Sequence, residues 1–317
     1  MTIQSQSIDA PISAGPVQHA GERSFEPRDY GLYVLTVIAW SVSWFAIRLQ
    51  VGTVPNEVNL VWRFAIATAL MIAWVVFSGR RIHFPLGDHV RFAALGILMF
   101  SSNFLCFYYG AGYLVSGLLS VVFSLASVVN IMLAAVALRE RPSPRVLAGG
   151  IIGFCGIALM FSPEIAAHGL SGNTMIGLLL CVAGTLFFCI GNQISAAGLR
   201  KGLPLIPMSA WSMFYGTLWS ALLAFLLGRP FIIEPTLSYI TSLLFLAVIS
   251  TVIAFSAYLT LLSRIGPARA GYATVMFPIF ALLVSTLLED YRWSAYALAG
   301  LVFVAIGNVL VIRTGKP

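Results

Sequence analysis

The chain has 317 residues, of which 59% are apolar and only 9% carry a formal charge, whereas soluble domains are about 25% charged. So little charge cannot cover a water-soluble surface of this size, which excludes soluble enzymes, nucleic-acid-binding proteins and disordered proteins. The net charge of +7 comes from basic residues scattered through short loops, so it indicates membrane topology. The composition predicts a polytopic membrane protein.

Apolar stretches of helical length follow one another almost without interruption after a polar N-terminal segment. A membrane span needs about 20 residues, and this length predicts ten helices. Their ranges are 30–47, 57–77, 92–113, 114–138, 145–162, 174–197, 205–227, 237–262, 268–288 and 293–312. The uncharged run 92–138 is divided near Gly110–Gly117 on length alone. Residues 1–29 are predicted to form a disordered tail without the pattern of a cleaved signal peptide.

The distribution of Lys and Arg supports this number of spans. With ten spans, 14 of the 18 basic residues fall on one side of the membrane and 3 on the other, while Arg63 lies within the second span. Basic loops are retained in the cytoplasm. Both termini are therefore predicted to be cytoplasmic.

The two halves of the chain share sequence features in the same order. The segment LAGGIIGFCG near the end of the first half matches LAGLVFVAIG near the end of the second, with glycines seven positions apart in each. Glu140 and Glu289 are separated by 149 residues, and so are Trp62 and Trp211. Five spans in each half force the second copy to insert upside down. This is the plan of secondary transporters that bind substrate between two inverted repeats.

Four segments carry a resemblance to a known family: WSVSWFAIRL at 40–49, WRF at 62–64, LRERPS at 138–143 and FPIFALLVSTLLED at 277–290. Together with the closing LAG segment, they resemble the EamA branch of the drug/metabolite transporter (DMT) superfamily over nearly the whole chain. The resemblance implies a carrier of the bacterial inner membrane, often an exporter of amino acids or other small metabolites.

The same resemblance implies two inverted five-helix repeats, which we place at 30–162 and 174–313. The chain departs from the family pattern in the fourth span. Val129 stands there in place of a proline that would correspond to Pro278 in the ninth span. If proline kinks act as gates, the two halves are asymmetric, and Pro278 is the gating residue predicted here.

Residues suited to catalysis or metal binding are absent from the predicted spans. The four histidines lie in the tail or loops, no Asp or Glu lies in the middle of a span, and there is no phosphate-binding loop. The four cysteines lack metal-ligand spacing. The sequence predicts no enzyme activity, no cofactor and no metal. The predicted partners are a small-molecule substrate and the lipid bilayer, without nucleic acid, and a homodimer is left open.

Polar and aromatic side chains within the spans are the candidate cavity residues. Arg63 lies about 9–10 Å inside the second span at 1.5 Å per residue. It could bind a substrate carboxylate there, or it could have a structural role, reaching the interface or bonding to a carbonyl or Glu57. The other candidates are Trp40, Trp44, Asn103, Asn130, Phe188, Asn192, Trp211, Tyr215, Tyr258 and Tyr272. Amides at this depth must face protein or a wet cavity, whereas the tryptophans could instead belong to an interfacial belt.

These features predict a secondary carrier that exports a small amphipathic metabolite, such as an amino acid or an aromatic compound, by alternating access. Aromatic helix faces suit an apolar moiety, and a single arginine suits one carboxylate. A carrier of organophosphates or nucleotide sugars is the alternative, although one arginine is little counter-charge for two or more negative charges. A channel and a membrane-embedded enzyme are the alternatives from other classes.

Overall fold

The described part of the chain is helical, without a strand, in a computed structural model. It comprises residues 26–138, 143–168, 172–258, 260–261, 264 and 273–314. The helices are α1 (Pro27–Arg48), α2 (Asn56–Phe77), α3 (Leu86–Gly110), α4 (Ser116–Ser124 continued by Ala126–Leu138), α5 (Pro144–His168), α6 (Asn173–Arg200), α7 (Leu205–Leu226), α8 (Leu237–Tyr258), α9 (Ala273–Leu288) and α10 (Ala295–Thr314).

Seven of the described helices are long and apolar enough to cross a membrane, namely α1 to α6 and α8. Helices α9 and α10 contain shorter apolar stretches, Met276–Leu288 and Ala295–Val311. The predicted all-helical class with multiple membrane-length helices is therefore confirmed. The predicted break in the long uncharged run lies between Gly110 and Ser116. The arrangement of ten spans as an inverted repeat stays a prediction.

Helices α2 and α7 begin and end at corresponding residues. Pro55 immediately precedes α2, and Pro204 precedes α7. Proline is tolerated there because the first N–H groups of a helix have no partner within it. Gly79 and Gly228 follow the two helices with φ of +64° and +62°, the left-handed conformation that commonly ends a helix. Pro55 and Pro204 are 149 residues apart, and so are Gly79 and Gly228. The signals that begin and end these helices therefore recur in the two halves.

Helices from the two halves pack against each other reciprocally. Helix α2 packs on α7, α4 on α9 and α5 on α10. Helix α1 contacts α8 and α9, as α6 contacts α3 and α4. Each of these contacts maps onto another of them, or onto itself, when α1–α5 are exchanged with α6–α10.

Close backbone contacts hold α5 against α10. Gly149 lies beside Gly307, and Gly156 lies beside Gly300. A Cβ atom added to any of the four would be 2.5–2.7 Å from the carbonyl oxygen of the opposite glycine, too close for any larger residue. The two glycines of each helix are seven positions apart, which is about two helical turns, so both lie on the same helix face. The repeated LAG segments noted in the sequence therefore pack against each other through matching glycines, as small residues allow in membranes.

Helices α3 and α8 each contain a π-helical segment, at Gly96–Ser102 and Phe245–Ile253. The two segments begin 149 residues apart, so the same distortion occurs at the same place in both halves. The hydrophobic pattern did not predict either segment, because it does not distinguish bonding five residues back from bonding four back. Such segments are rare and frequently occur at functional sites.

Helix α4 is interrupted at Leu125, although it contains no proline there. At the interruption, the Cys189 thiol of α6 lies 3.5 Å from the Ala126 carbonyl oxygen and donates to it. In α9, by contrast, Pro278 lies inside a continuous helix. The two halves therefore differ at these positions, and the irregularity in α4 has a different origin from a proline kink.

Candidate substrate site between the halves

Arg63 of α2 is buried against α8. Its Nε and Nη2 atoms donate to the Thr251 hydroxyl at 3.4 and 3.2 Å, and its guanidinium faces the Phe104 ring at 4.3 Å. The Nη1 atom is buried without a hydrogen-bond partner. None of the ion pairs among the described residues involves Arg63. The site therefore holds a positive charge with an N–H group that no described residue accepts.

The π-helical segment of α8 positions the hydroxyl that meets Arg63. Thr251 donates to the carbonyl oxygen of Leu246 at 2.7 Å, five residues back, which is the spacing of a π-helix. This bond uses the hydroxyl hydrogen and leaves the oxygen lone pairs to accept from the guanidinium. Thr251 was not predicted from the sequence, because its role depends on the wider turn.

Glu57 does not pair with Arg63, which was one structural role considered for that arginine. Its carboxylate lies 3.6 Å from the Arg229 guanidinium and accepts from the Tyr109 hydroxyl. Arg63 is also only 2% exposed, so its side chain is enclosed by protein and does not extend to the molecular surface. The arginine bonds to a hydroxyl of the other half of the chain, which is not one of the partners predicted above.

A chain of buried hydrogen bonds continues from Arg63. The Tyr108 hydroxyl lies beside the guanidinium and donates to the side-chain oxygen of Gln50 at 2.5 Å. The Gln50 backbone carbonyl accepts from Asn59 at 2.9 Å. Asn59 accepts in turn from the Tyr239 hydroxyl at 2.7 Å. We call these five residues the polar network; each is at most 2% exposed.

Four members of the polar network were missed from the sequence. Gln50 and Asn59 lie at the edges of predicted spans, where polar residues are common. Tyr108 and Tyr239 lie among many apolar and aromatic neighbours. The one signal that could have found them is the pair of amides on either side of the short α1–α2 connection, because buried amides need partners.

An aromatic cluster lies where α1, α3, α4, α6 and α9 meet. Trp44 packs on Phe107 and Phe123, with ring centroids 5.0 and 5.4 Å apart. Phe123 also contacts Phe188 at 4.8 Å and Phe277 at 6.1 Å. The cluster contains the candidates Trp44 and Phe188, which the sequence could not place together. The other three were missed, because phenylalanine is frequent in this chain.

Trp40 and Tyr258 lie together beside the π-helical segment of α8. Their rings are 5.1 Å apart, and Trp40 Nε1 donates to the Ser250 carbonyl at 3.3 Å. The hydroxyl of the next residue, Ser41, lies between two carbonyl acceptors, Val37 of its own helix at 2.6 Å and Phe277 at 3.0 Å. Phe277 directly precedes the buried Pro278 in α9. These contacts bring α1 against both helices that carry the candidates Tyr258 and Pro278.

The three asparagine candidates lie in different surroundings. Asn103 and Asn130 each have a buried side-chain oxygen without a partner. Asn103 donates to the Met99 carbonyl at 3.1 Å, while the Asn130 backbone carbonyl accepts from Gln193 at 3.1 Å. Asn192 is half-buried on α6. Buried oxygens without partners are unfavourable unless water or a ligand donates to them.

The structure places Trp211 and Tyr215 in a separate cluster with His89. The Tyr215 hydroxyl is 3.0 Å from His89 Nδ1, and the rings of His89 and Trp211 are 4.7 Å apart. Trp211 donates to the Ile82 carbonyl at 2.9 Å, and Tyr215 lines an apolar groove on the outside of α3 and α7. Tyr272 lies outside the described residues, and so does Glu140.

Ion pairs tie both ends of α1 to the second half. Arg48 Nε is 3.0 Å from a Glu289 oxygen at the end of α9. At the other end, Arg264 pairs with Asp29 at 2.5 Å and with Glu26 at 2.6 Å. The hydrogen bonds to Asp29 and Glu26 raise the pKa of Arg264 above its ordinary value.

Among the described residues, no group of three or more His, Cys, Asp or Glu could hold a metal ion.

The long apolar helices and the buried arginine between them define a polytopic membrane protein with a polar site between its two halves. The sequence profile of the EamA-like transporter family matches this chain twice, over residues 30–162 and 171–313. The chain therefore belongs to the EamA-like transporter family. The resemblance inferred from the sequence motifs is confirmed.

Relatives are similar over almost their whole length. An uncharacterized transporter of Archaeoglobus fulgidus is 28% identical over 88% of this chain and 96% of its own. The probable amino-acid metabolite efflux pump of Escherichia coli is 23% identical over 91% of this chain and 97% of its own. The uncharacterized inner membrane transporter YedA of Escherichia coli is 25% identical over 90% and 91%, respectively. These names support membrane transport.

One solved crystal structure has the same fold. It matches with a TM-score of 0.64 at 17% sequence identity, over 91% of this chain and 99% of that chain. At this identity, the likeness concerns the fold alone.

Proposed function

We propose that this protein is a secondary carrier of the bacterial inner membrane that exports small amphipathic metabolites, such as amino acids or aromatic compounds. It works by alternating access between two inverted five-helix repeats, 30–162 and 174–313. Both termini are cytoplasmic. The substrate site lies between the repeats at Arg63, with the aromatic cluster nearby.

The observation that carries this proposal is the buried Arg63, which has no carboxylate partner within the described ranges of the chain. A charge at membrane depth is costly unless it is paired or reached by water, and such charges mark substrate pathways. Arg63 belongs to the first repeat and Thr251 to the second. Secondary transporters with inverted repeats bind substrate at such a junction near the bilayer midplane.

Several features support the inverted repeat and alternating access. The reciprocal helix contacts, the two π-helical segments and the two matches of the family profile all agree with a duplicated five-helix unit. The ion pairs at the two ends of α1 suit a cycle in which one end opens while the other remains closed. The similarity to the probable amino-acid metabolite efflux pump of Escherichia coli supports export of amino-acid metabolites.

Counterflow in liposomes tests the proposal. Purified wild-type protein is expected to exchange labelled substrate from a panel of amino acids, aromatic acids and phosphate esters, with saturation. The variant Arg63→Gln is expected to lose exchange, because it removes the buried positive charge that binds the substrate. The variant Arg80→Gln, which removes an exposed arginine in a connection, is the matched control and should exchange normally. Unsaturated current at constant voltage, without counterflow, would establish a channel instead.

Reporter fusions test the topology. Fusions after residue 317 should be active only with cytoplasmic reporters, since most of the basic residues then lie on the cytoplasmic side. Activity of a periplasmic reporter at that position would contradict both the orientation and the inverted repeat.

A further inference from the structure

The hydrogen bonds of the polar network leave only donors without partners. The side-chain oxygen of Gln50 accepts from Tyr108, and that of Asn59 accepts from Tyr239. The Asn59 amide donates to the carbonyls of Gln50 and Val54 at 2.9 and 3.1 Å. Two buried atoms of the network have no hydrogen-bond partner among the described residues, Nε2 of Gln50 and Nη1 of Arg63, and both are N–H donors.

Both free donors lie next to the same hydroxyl. Tyr108 donates to the side-chain oxygen of Gln50 at 2.5 Å and is also a hydrogen-bonding neighbour of the Arg63 guanidinium, so the two side chains share one hydroxyl. A buried donor without an acceptor is unfavourable, the more so when it is charged. The group that complements the pair is therefore an anion with at least two acceptor oxygens.

The protein does not supply this anion from the neighbouring acidic residue. Glu57, one to two turns before Arg63 on α2, lies against Arg229 and Tyr109. Its charge is already matched there. The positive charge of the network thus remains available for a ligand.

We propose that Arg63 and Gln50 together bind one carboxylate group of the transported compound, an inference that rests on the proposed carrier function. The guanidinium supplies charge and a planar pair of donors, the geometry that carboxylates accept. Gln50 supplies an additional neutral donor and thereby determines specificity for a carboxylate over its amide. Tyr108 is a positioning residue, and the Phe104 ring, 4.3 Å from the guanidinium, forms an apolar wall.

One net positive charge favours a singly charged ligand. A phosphate ester with two charges would retain an unmatched charge in this buried site, which is costly. The substrate class is therefore a monocarboxylate with an apolar or aromatic body. Water alone at the two donors is the competing interpretation.

Binding of three small probes to the full-length, detergent-purified protein tests this inference. The probes are benzoate, benzamide and phenyl phosphate, and apparent affinities come from the concentration dependence of the melting temperature. Wild type should bind benzoate more tightly than the other two probes. Arg63→Gln should weaken benzoate binding by roughly 30-fold to several thousand-fold, as for removal of one partner of a buried charge pair. The benzoate affinity of Arg63→Lys should lie between those of wild type and Arg63→Gln, because lysine keeps the charge and lacks the planar pair of donors.

Two substitutions test Gln50 separately. Gln50→Leu removes the donor and should weaken benzoate binding roughly tenfold, as for one hydrogen bond to a charged group, with benzamide binding unchanged. Gln50→Glu places a carboxylate beside Arg63 and should abolish benzoate binding even if the leucine variant does not fold. Gln193→Leu removes a membrane-embedded glutamine outside the network and is the matched control, with affinities like wild type.

Several results would overturn the inference. They are equal affinities of wild type for benzoate and benzamide, tighter binding of phenyl phosphate, and unchanged benzoate preference in folded Arg63→Gln or Gln50→Glu protein. Water at the donors, or a purely structural role, predicts a lower melting temperature without any change in the ratio of affinities. Counterflow is measured on the same preparation. Absence of counterflow in wild-type protein would contradict the proposed carrier function. Absence of a preference for benzoate over benzamide would contradict the carboxylate site alone.

Discussion

The π-helical segments of α3 and α8 occupy equivalent places in the two halves and contact their neighbours in different ways. In α3, Gly96 lies so close to α7 that an added Cβ atom would be 2.3 Å from the Ser212 carbonyl oxygen. Ser101 of the same segment bonds to the Ser220 hydroxyl at 2.7 Å. This half uses the segment to bring two backbones together through small residues.

In α8, the same distortion presents polar groups to larger side chains. Ser250, which corresponds to Ser101 at an offset of 149 residues, accepts from Trp40 through its carbonyl. Thr251 bonds to Arg63. The backbone geometry thus recurs in both halves while the chemistry differs. Of the two segments, only the one in α8 bonds to a buried arginine among the described residues.

The largest expected effect comes from the close contact in α3. Gly96→Ala should lower the free energy of unfolding by about 3 kcal/mol, the upper end for overpacking, because two backbones must separate. Thermal unfolding in detergent measures it. Gly87→Ala is the control in the same helix, since an added Cβ there meets open space. Equal stability of the two variants would mean that the π-helical segment does not hold α3 against α7.

The hydroxyl in α8 should have the next largest effect. Thr251→Val keeps the shape of the side chain and leaves two N–H groups of Arg63 without an acceptor, at a cost of about 2 kcal/mol. Ser102→Ala changes the corresponding residue of α3, which bonds to no charged group in the described part of the chain, and should be nearly neutral. A loss of equal size at both positions would show that the two segments have the same role.

The asymmetry between α9 and α4 predicts a smaller, kinetic effect. Pro278→Ala restores a backbone N–H in α9 and should slow transport by about fivefold, or ~1 kcal/mol of barrier, if flexing at the proline accompanies opening. The protein should insert and express normally. Val129→Ala, at the corresponding position of α4, should transport at the wild-type rate. Normal turnover of folded Pro278→Ala protein would remove the gate from the proposed cycle.

The smallest effect concerns the serine pair between α3 and α7. A double-mutant cycle with Ser101→Ala and Ser220→Ala should give a coupling energy of about 0.6 kcal/mol, the average for polar pairs in membranes. Unfolding of the two single variants and the double variant measures the coupling. A value several times larger would mean that the first half also depends on a strong polar contact.

Local sequence signals placed the helices well, because prolines and glycines act on their immediate neighbours. Depth within a predicted span selected Arg63, the one charge that lies well inside such a span. Local signals did not identify its partner, because Thr251 is 188 residues away and faces it only through a π-helical turn. Gln50 was missed because its burial depends on how the connection after α1 folds back on α2.

Helical periodicity was less informative about the aromatic candidates. Trp40 and Trp44 lie one turn apart on α1, as do Trp211 and Tyr215 on α7. The first pair divides between α8 and the aromatic cluster, and the second pair joins His89. Periodicity tells which residues share a helix face, whereas the arrangement of the other helices decides what that face contacts.

The attachment of α1 to the second half constrains how this protein is made. Trp40 bonds to a residue 210 positions later, and Ser41 to one 236 positions later. The ribosome therefore inserts α1 long before α8 and α9 are synthesised. Until then, the polar side chains of α1 contact lipid or an insertion factor. A chain that stops before α8 leaves the Trp40 indole N–H without its acceptor, although the Ser41 hydroxyl can still donate to the Val37 carbonyl within α1. That unmet donor distinguishes an unfinished chain from the complete protein.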